Sequence, residues 1–169
     1  RHVIYHETKN LGGILMADVK PKNVVDMKVS GQAITHARTD VTVRDLTVIV
    51  DEPEPRGGTN LGATPTETVA VALAGCLNVM GHRCADKVGL EIVDLDIEVH
   101  AKFDRRGVSF ESEINLPFPE VNVNLNLKTA ADDETIEQMK TLLAKHCPVS
   151  TMLRQAGTRL NENWEITRP

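Results

Sequence analysis

Residues 64–89 read TPTETVAVALAGCLNVMGHRCADKVG, and this stretch decides the fold. Thr64, Pro65 and Glu67 fall at the N-cap, first and third positions of a helix. That spacing is a capping box with a preset first turn, in which the Thr hydroxyl and the Glu carboxylate each satisfy a backbone N–H that a helix start leaves free. Gly89 suits the left-handed residue that closes such a helix. The pattern predicts a helix over residues 65–88, roughly 36 Å long. Through Met80 it is apolar nearly all round, so it is expected to be buried on several sides. Ala70, Ala72, Ala74, Gly75 and Gly81 keep its surface thin, which lets a large neighbour pack closely.

Upstream, the chain is strand-like. Val24–Ser30 alternates loosely, and Val41, Val43, Leu46, Val48 and Val50 are β-prone on either side of a turn at Arg44-Asp45. Asp51–Gly62 (DEPEPRGGTNLG) is rich in Pro and Gly and reads as a long loop. Downstream, Val93, Leu95, Ile97, Val99, Ala101 and Phe103 alternate with polar residues, giving a strand with one wet face. Arg105-Arg106-Gly107 reads as a hairpin turn and Ser109–Leu116 as its return strand, interrupted by Pro117 and Pro119. Val121, Val123, Leu125 and Leu127 alternate with asparagines in another strand. Asp132–His146 is an amphipathic helix, Pro148–Gln155 a second one ended by Gly157, and Leu160–Ile166 a last strand. This order is α+β, an antiparallel sheet packed on a long central helix. The expected organisation is a single domain over residues 1–169. Residues 1–23 form an N-terminal extension, within which Leu11–Ala17 reads as an added strand.

With 169 residues, 41% of them apolar and 25% charged, the chain is composed like a globular domain. The net charge of −5 and the scatter of Lys and Arg argue against a nucleic-acid or anionic-membrane partner. Three Phe, one Tyr and one Trp leave little for base stacking. No apolar run reaches the ~18 residues a membrane span needs, and no secretory leader is expected. Three cysteines form no disulfide framework, so the expected setting is a reducing cytoplasm.

Those cysteines carry the chemistry. Cys76 lies inside the small-residue helix. Cys147 stands directly before Pro148 in HCPVS (residues 146–150), where it reads as a helix N-cap. A helix N-terminus favours a thiolate, which on this ground makes Cys147 the stronger acid. Cys76, among apolar groups, is pushed the other way by burial. Free cysteines are also common as small buried hydrophobes, and that reading stands beside the redox one. Cys84, about 80° round the helix from Cys76, reads as core packing. Cys76, His82, Cys84, His146 and Cys147 are metal-ligand types, but none has a standard ligand spacing, and no metal or cofactor is expected.

The block VDEPEPRGGTNLGATPTETVAVALAGC (residues 50–76), followed much later by HCPVS, resembles the OsmC/Ohr family, the osmotically inducible and organic hydroperoxide resistance proteins. The resemblance implies an intertwined homodimer with two sites at the subunit interface. It also implies a thiol-dependent peroxidase that reduces organic hydroperoxides to alcohols. Cys76 then matches the attacking cysteine and Cys147 the resolving one, through a Cys76 sulfenic acid and a Cys76–Cys147 disulfide that a small dithiol or a thiol protein reduces. This reverses the acid order read from the N-cap, so Cys76 is expected to have a cation beside it. In the Ohr branch an Arg–Glu pair activates the thiol. Arg38 lies nearest the family's arginine position, with Arg44 and Arg56 as alternatives. Glu67 is one place later than the family's glutamate and about 180° round its helix from Cys76, so it reads first as a cap, with a reach to a partner's site as the alternative. A non-catalytic binding module for an apolar ligand, or a thiol redox sensor, are the other functions the residues allow.

Overall fold

The structure, a computed structural model, describes residues 23–169; the proposed strand at Leu11–Ala17 and most of the N-terminal extension lie outside the described residues. The chain forms β1 (Val29–Ala33), β2 (Thr39–Val43), β3 (Leu46–Val50), α1 (Pro65–Val88), β4 (Asp94–Lys102), β5 (Glu120–Lys128), α2 (Asp133–His146), α3 (Pro148–Gln155) and β6 (Arg159–Thr167), with a short 3-10 turn at Glu54–Arg56. This is the α+β architecture expected.

β1, β2 and β3 make a small antiparallel sheet, and Arg44 takes a left-handed φ of 55° in the β2–β3 turn. β4, β5 and β6 make the second sheet. β4 and β5 run antiparallel over their whole lengths, from Asp94 opposite Lys128 to Lys102 opposite Glu120. β5 and β6 run parallel, because the chain crosses over through α2 and α3 before it re-enters the sheet. The expected return strand at residues 109–116 does not form. The N–H groups of Ser109, Phe110 and Glu111 turn back to the carbonyls of Arg105, Gly107 and Arg106, and Phe110 adopts a φ of 58°. Those local bonds occupy the donors a strand would need, and β5 takes the place beside β4 instead.

The helix start forms as its residues dictate. Thr64 accepts from the Glu67 N–H, the Glu67 carboxylate accepts from the Thr64 N–H, and Gly89 closes the helix at φ 73°. α1 packs on α2, α3 and β4, and its buried residues are Leu73, Leu77, Gly81, Cys84 and Ala85. They join Val121, Val123, Leu125 and Leu127 of β5 with Ile136, Met139 and Leu143 of α2 in one core. By length and apolar composition α1 would also suffice to cross a membrane, which the sequence reading missed. Its packing against three elements of a mixed fold makes it a core helix.

Within one chain, however, α1 is covered on one side only. Val71 stays 59% exposed and Val79 51%, and a Cβ built on Gly75 between them meets nothing. The first sheet has no comparable contact with the rest of the described chain, and Val29, Leu46 and Val48 are exposed on it.

Candidate functional site

The site begins with a broken helix. α2 ends at His146 with its last N–H partner reached by Cys147, whose own N–H donates to the Leu143 carbonyl at 3.0 Å. Pro148 cannot extend α2 without losing that bonding, but its fixed φ suits the first position of a new helix. Cys147 is therefore the hinge between α2 and α3, with φ −72° and ψ 110°, and its carbonyl accepts from the Thr151 N–H at 2.9 Å. The hinge aims its side chain inward, where it is fully buried.

Inward lies α1. The Cys147 thiol donates to the Cys76 sulfur at 3.1 Å, although the two residues are 71 positions apart. Both are free thiols. A disulfide needs about 2 Å between sulfurs, so a shift of about 1 Å would join them. The backbone N–H of Val149, in the first turn of α3, also acts on the Cys76 thiol and favours its charged form. The helix N-terminus thus serves Cys76, while Cys147 makes no capping bond of its own. The sequence expectation gave that N-terminus to Cys147, but being the N-cap residue does not place a sulfur on the free N–H groups.

That help does not prevail. Burial pushes the Cys76 thiol above its ordinary pKa, the Val149 N–H pulls it down, and the neighbouring Cys147 pushes it up again. Among the described residues no cation of the same chain relieves it. Arg38 stands immediately before β2 in a two-point pair with Asp40, at 2.8 and 3.0 Å, and Asp51 adds to its positive bias. Glu67 is held by the capping box, which lowers its pKa, with Arg56 contributing. The structure brings Cys76 and Cys147 together and leaves Arg38 and Glu67 apart from them within one chain. Cys84 is buried, and burial raises its thiol pKa, with Cys147 adding to the effect. His82 and His146 are exposed and take no part in the pair.

One organising residue escaped the sequence reading. Asp51 is fully buried and accepts from the Glu52, Thr59 and Leu61 N–H groups and from the Thr59 hydroxyl, at 2.6 to 3.2 Å. It ties the loop of residues 51–62 into a fixed shape against the end of β3. The only sequence signal was an acid ahead of a Thr in a loop rich in Gly and Pro, which is too common to single out.

An α+β domain in which a core helix and a broken helix pair hold two free thiols in contact defines a class of dithiol protein. The family model for OsmC-like protein matches residues 58–163, well over half the chain, and the protein belongs to that family. Its fold matches solved structures over most of their length. A hypothetical protein from Aquifex aeolicus VF5 superposes with a TM-score of 0.69 at 18% identity, over 86% of this chain and 99% of that one. An OsmC-like protein from Mycoplasma pneumoniae gives 0.67 at 14% identity, over 85% and 97%. An organic hydroperoxide resistance protein from Legionella pneumophila gives 0.58 at 14% identity, over 86% and 99%. No curated protein matches the chain.

Proposed function

We propose that this protein is a thiol-dependent peroxidase that reduces organic hydroperoxides, acting as a homodimer in a reducing cytoplasmic setting. Family membership and neighbours named for organic hydroperoxide resistance support a peroxide-related role. The observation that carries the mechanism is the 3.1 Å contact between the sulfurs of Cys76 and Cys147. In this reading a Cys76 thiolate attacks one oxygen of the hydroperoxide. The O–O bond breaks, an alkoxide leaves and takes a proton, and Cys76 keeps the other oxygen as a sulfenic acid. Cys147 then attacks the Cys76 sulfur, the S–O bond breaks, and water leaves as the disulfide forms. A small dithiol or a thiol protein reduces the bridge by exchange.

The partially exposed position of Cys76 against the full burial of Cys147 supports this order, since only Cys76 can meet a substrate from solvent. The raised pKa of Cys76 calls for a cation that the described residues of its own chain do not supply, and the second protomer's copy of Arg38 is the candidate. The uncovered side of α1 and the unsheltered first sheet support a second copy there. Glu67, committed to the helix cap, acts in this reading by fixing the start of α1 and through the field it shares with Arg56.

The test is rapid mixing of the reduced protein with tert-butyl hydroperoxide. Cys76→Ser is expected to abolish turnover. Cys147→Ser is expected to consume one equivalent and stop at a sulfenic acid that a dimedone-type reagent captures. Full turnover by the Cys76→Ser protein would remove the basis of the reading.

A further inference from the structure

The buried face of α3 consists of Cys147 at its N-cap, then Ser150 and Leu153. Ser150 is fully buried, yet its hydroxyl has no hydrogen-bond partner, alone among the buried side-chain polar atoms of the described residues. An unmet hydroxyl in a packed interior is destabilising, and such a group calls for a reason. Burial alone gives none, because alanine would fill the same space without the penalty.

The position supplies a reason. Ser150 follows Cys147 by three residues, the spacing that places two side chains on one face of a helix. It is also the residue after Val149, whose N–H favours the charged form of Cys76. In the reduced protein the Cys147 thiol is already engaged with the Cys76 sulfur. Once Cys76 carries an oxygen, it is no longer the acceptor it was, and Cys147 becomes the nucleophile. As Cys147 gives up its proton in order to attack, negative charge gathers on a sulfur that no water reaches, since the residue has no exposed surface. His146, its chain neighbour, is exposed. On the buried face that Cys147 shares, Ser150 is the one side chain able to donate a hydrogen bond.

We infer that Ser150 is a positioning residue for the resolving step, its hydroxyl reserved for the Cys147 sulfur as that sulfur attacks the Cys76 sulfenic acid. The hydroxyl donates a hydrogen bond and transfers no proton. The new bond is S–S, the bond broken is S–O, and the departing hydroxide leaves as water with the Cys147 proton. The hydroxyl stands unsatisfied in the reduced protein because its partner arises only during turnover. This inference rests on the peroxidase reading and deepens it.

The experiment follows the two steps separately by quench-flow with tert-butyl hydroperoxide, scoring Cys76 sulfenic acid and disulfide by mass spectrometry. In Ser150→Ala, sulfenic acid is expected to form at the wild-type rate. Disulfide is expected to form about tenfold more slowly, the value of one ordinary hydrogen bond. Ser150→Thr, which keeps the hydroxyl, is expected to resolve close to the wild-type rate. The Ala protein is expected to melt no lower than wild type, which separates a lost donor from lost packing. Equal resolution by Ser150→Ala and wild type overturns the role of Ser150 and leaves the peroxidase reading standing. Absence of any Cys76 sulfenic acid in the wild-type protein overturns the peroxidase reading itself, and the role of Ser150 with it.

Discussion

At the scale of single residues, Cys76 shows how burial and hydrogen bonding compete over the acidity of one thiol. Cys76 receives the α3 N–H but loses more to burial, so its thiol titrates above the ordinary value. The charged form is the reactive one, so the sign of the pH dependence follows: the rate of the first step rises with pH until the thiolate is fully formed. A cation supplied by a second protomer lowers that midpoint. Arg38→Ala is therefore expected to move the rise of the peroxide rate to higher pH, by a unit or more if the guanidinium lies within about 4–6 Å of the sulfur. An unchanged pH profile in Arg38→Ala sends the search to Arg44 and Arg56.

The sequence made Cys76 and Cys147 legible as a pair only through their resemblance to a known pattern. Composition and spacing left them as two apolar thiols. What no spacing rule could reveal was which sulfur would meet the α3 N–H groups. That depends on where α1 passes the hinge, which is tertiary information. Ser150 was visible as a letter in HCPVS, but its missing partner is a property of the packed interior.

At the scale of elements, the helices and the second sheet follow directly from their residues, because each carries its own start, stop and period. The capping box of α1, the Pro148 break and the alternation in β4 and β5 are all local signals. Residues 103–119 misled, since alternating apolar residues there met local turn bonds that pattern reading does not weigh. The loop of residues 51–62 was legible as a loop but not as an ordered one. Its order centres on Asp51, whose carboxyl is held at about 2 rather than the ordinary 3.8, first by the Thr59 hydroxyl and then by the N–H groups of Leu61, Thr59 and Glu52, against the opposing effect of burial. A depressed folded pKa stabilises above the ordinary value and is lost as pH falls toward the folded one. Protection of the Thr59 and Leu61 amides from hydrogen exchange is thus expected to fade as pH drops from 3.8 toward 2. Asp51→Asn should produce the same loss at neutral pH. Gly58 and Gly62 hold the same loop, since a Cβ would lie 1.7 Å from the Glu52 carbonyl oxygen or 2.1 Å from that of Ile49. Alanine at either position is expected to open the loop and lower the melting temperature.

At the scale of the whole molecule, the thiol pair links distant parts of the chain. A bridge across 71 positions restricts the unfolded chain far more than the folded one. The chain-entropy model gives about 4 kcal/mol for a loop of that size. The folded protein already holds the sulfurs in contact, so little strain offsets this. The peroxide-oxidised protein is expected to melt well above the reduced one, and Cys147→Ser should show no such gain. Scanning calorimetry with and without a dithiol decides it.

The uncovered side of α1 and the isolated first sheet make the dimer the remaining question at this scale. Val79→Asp would place a charge in the proposed interface at a cost of several kcal/mol per protomer, and is expected to yield monomers in sedimentation. A sharper experiment asks whether the site is shared. If Arg38 serves the partner's Cys76, then at neutral pH Cys76→Ser dimers are inactive and Arg38→Ala dimers are slowed about tenfold or more, yet the two protomers are complementary. In a mixed dimer, the intact Cys76 of one protomer faces the intact Arg38 of the other. Random exchange makes half of the dimers mixed, each with one working site of two, so about one quarter of wild-type turnover is expected after refolding the two together. If Arg38 served its own chain, no arrangement of the two would rebuild a site, and the mixture would turn over no faster than the average of its parts.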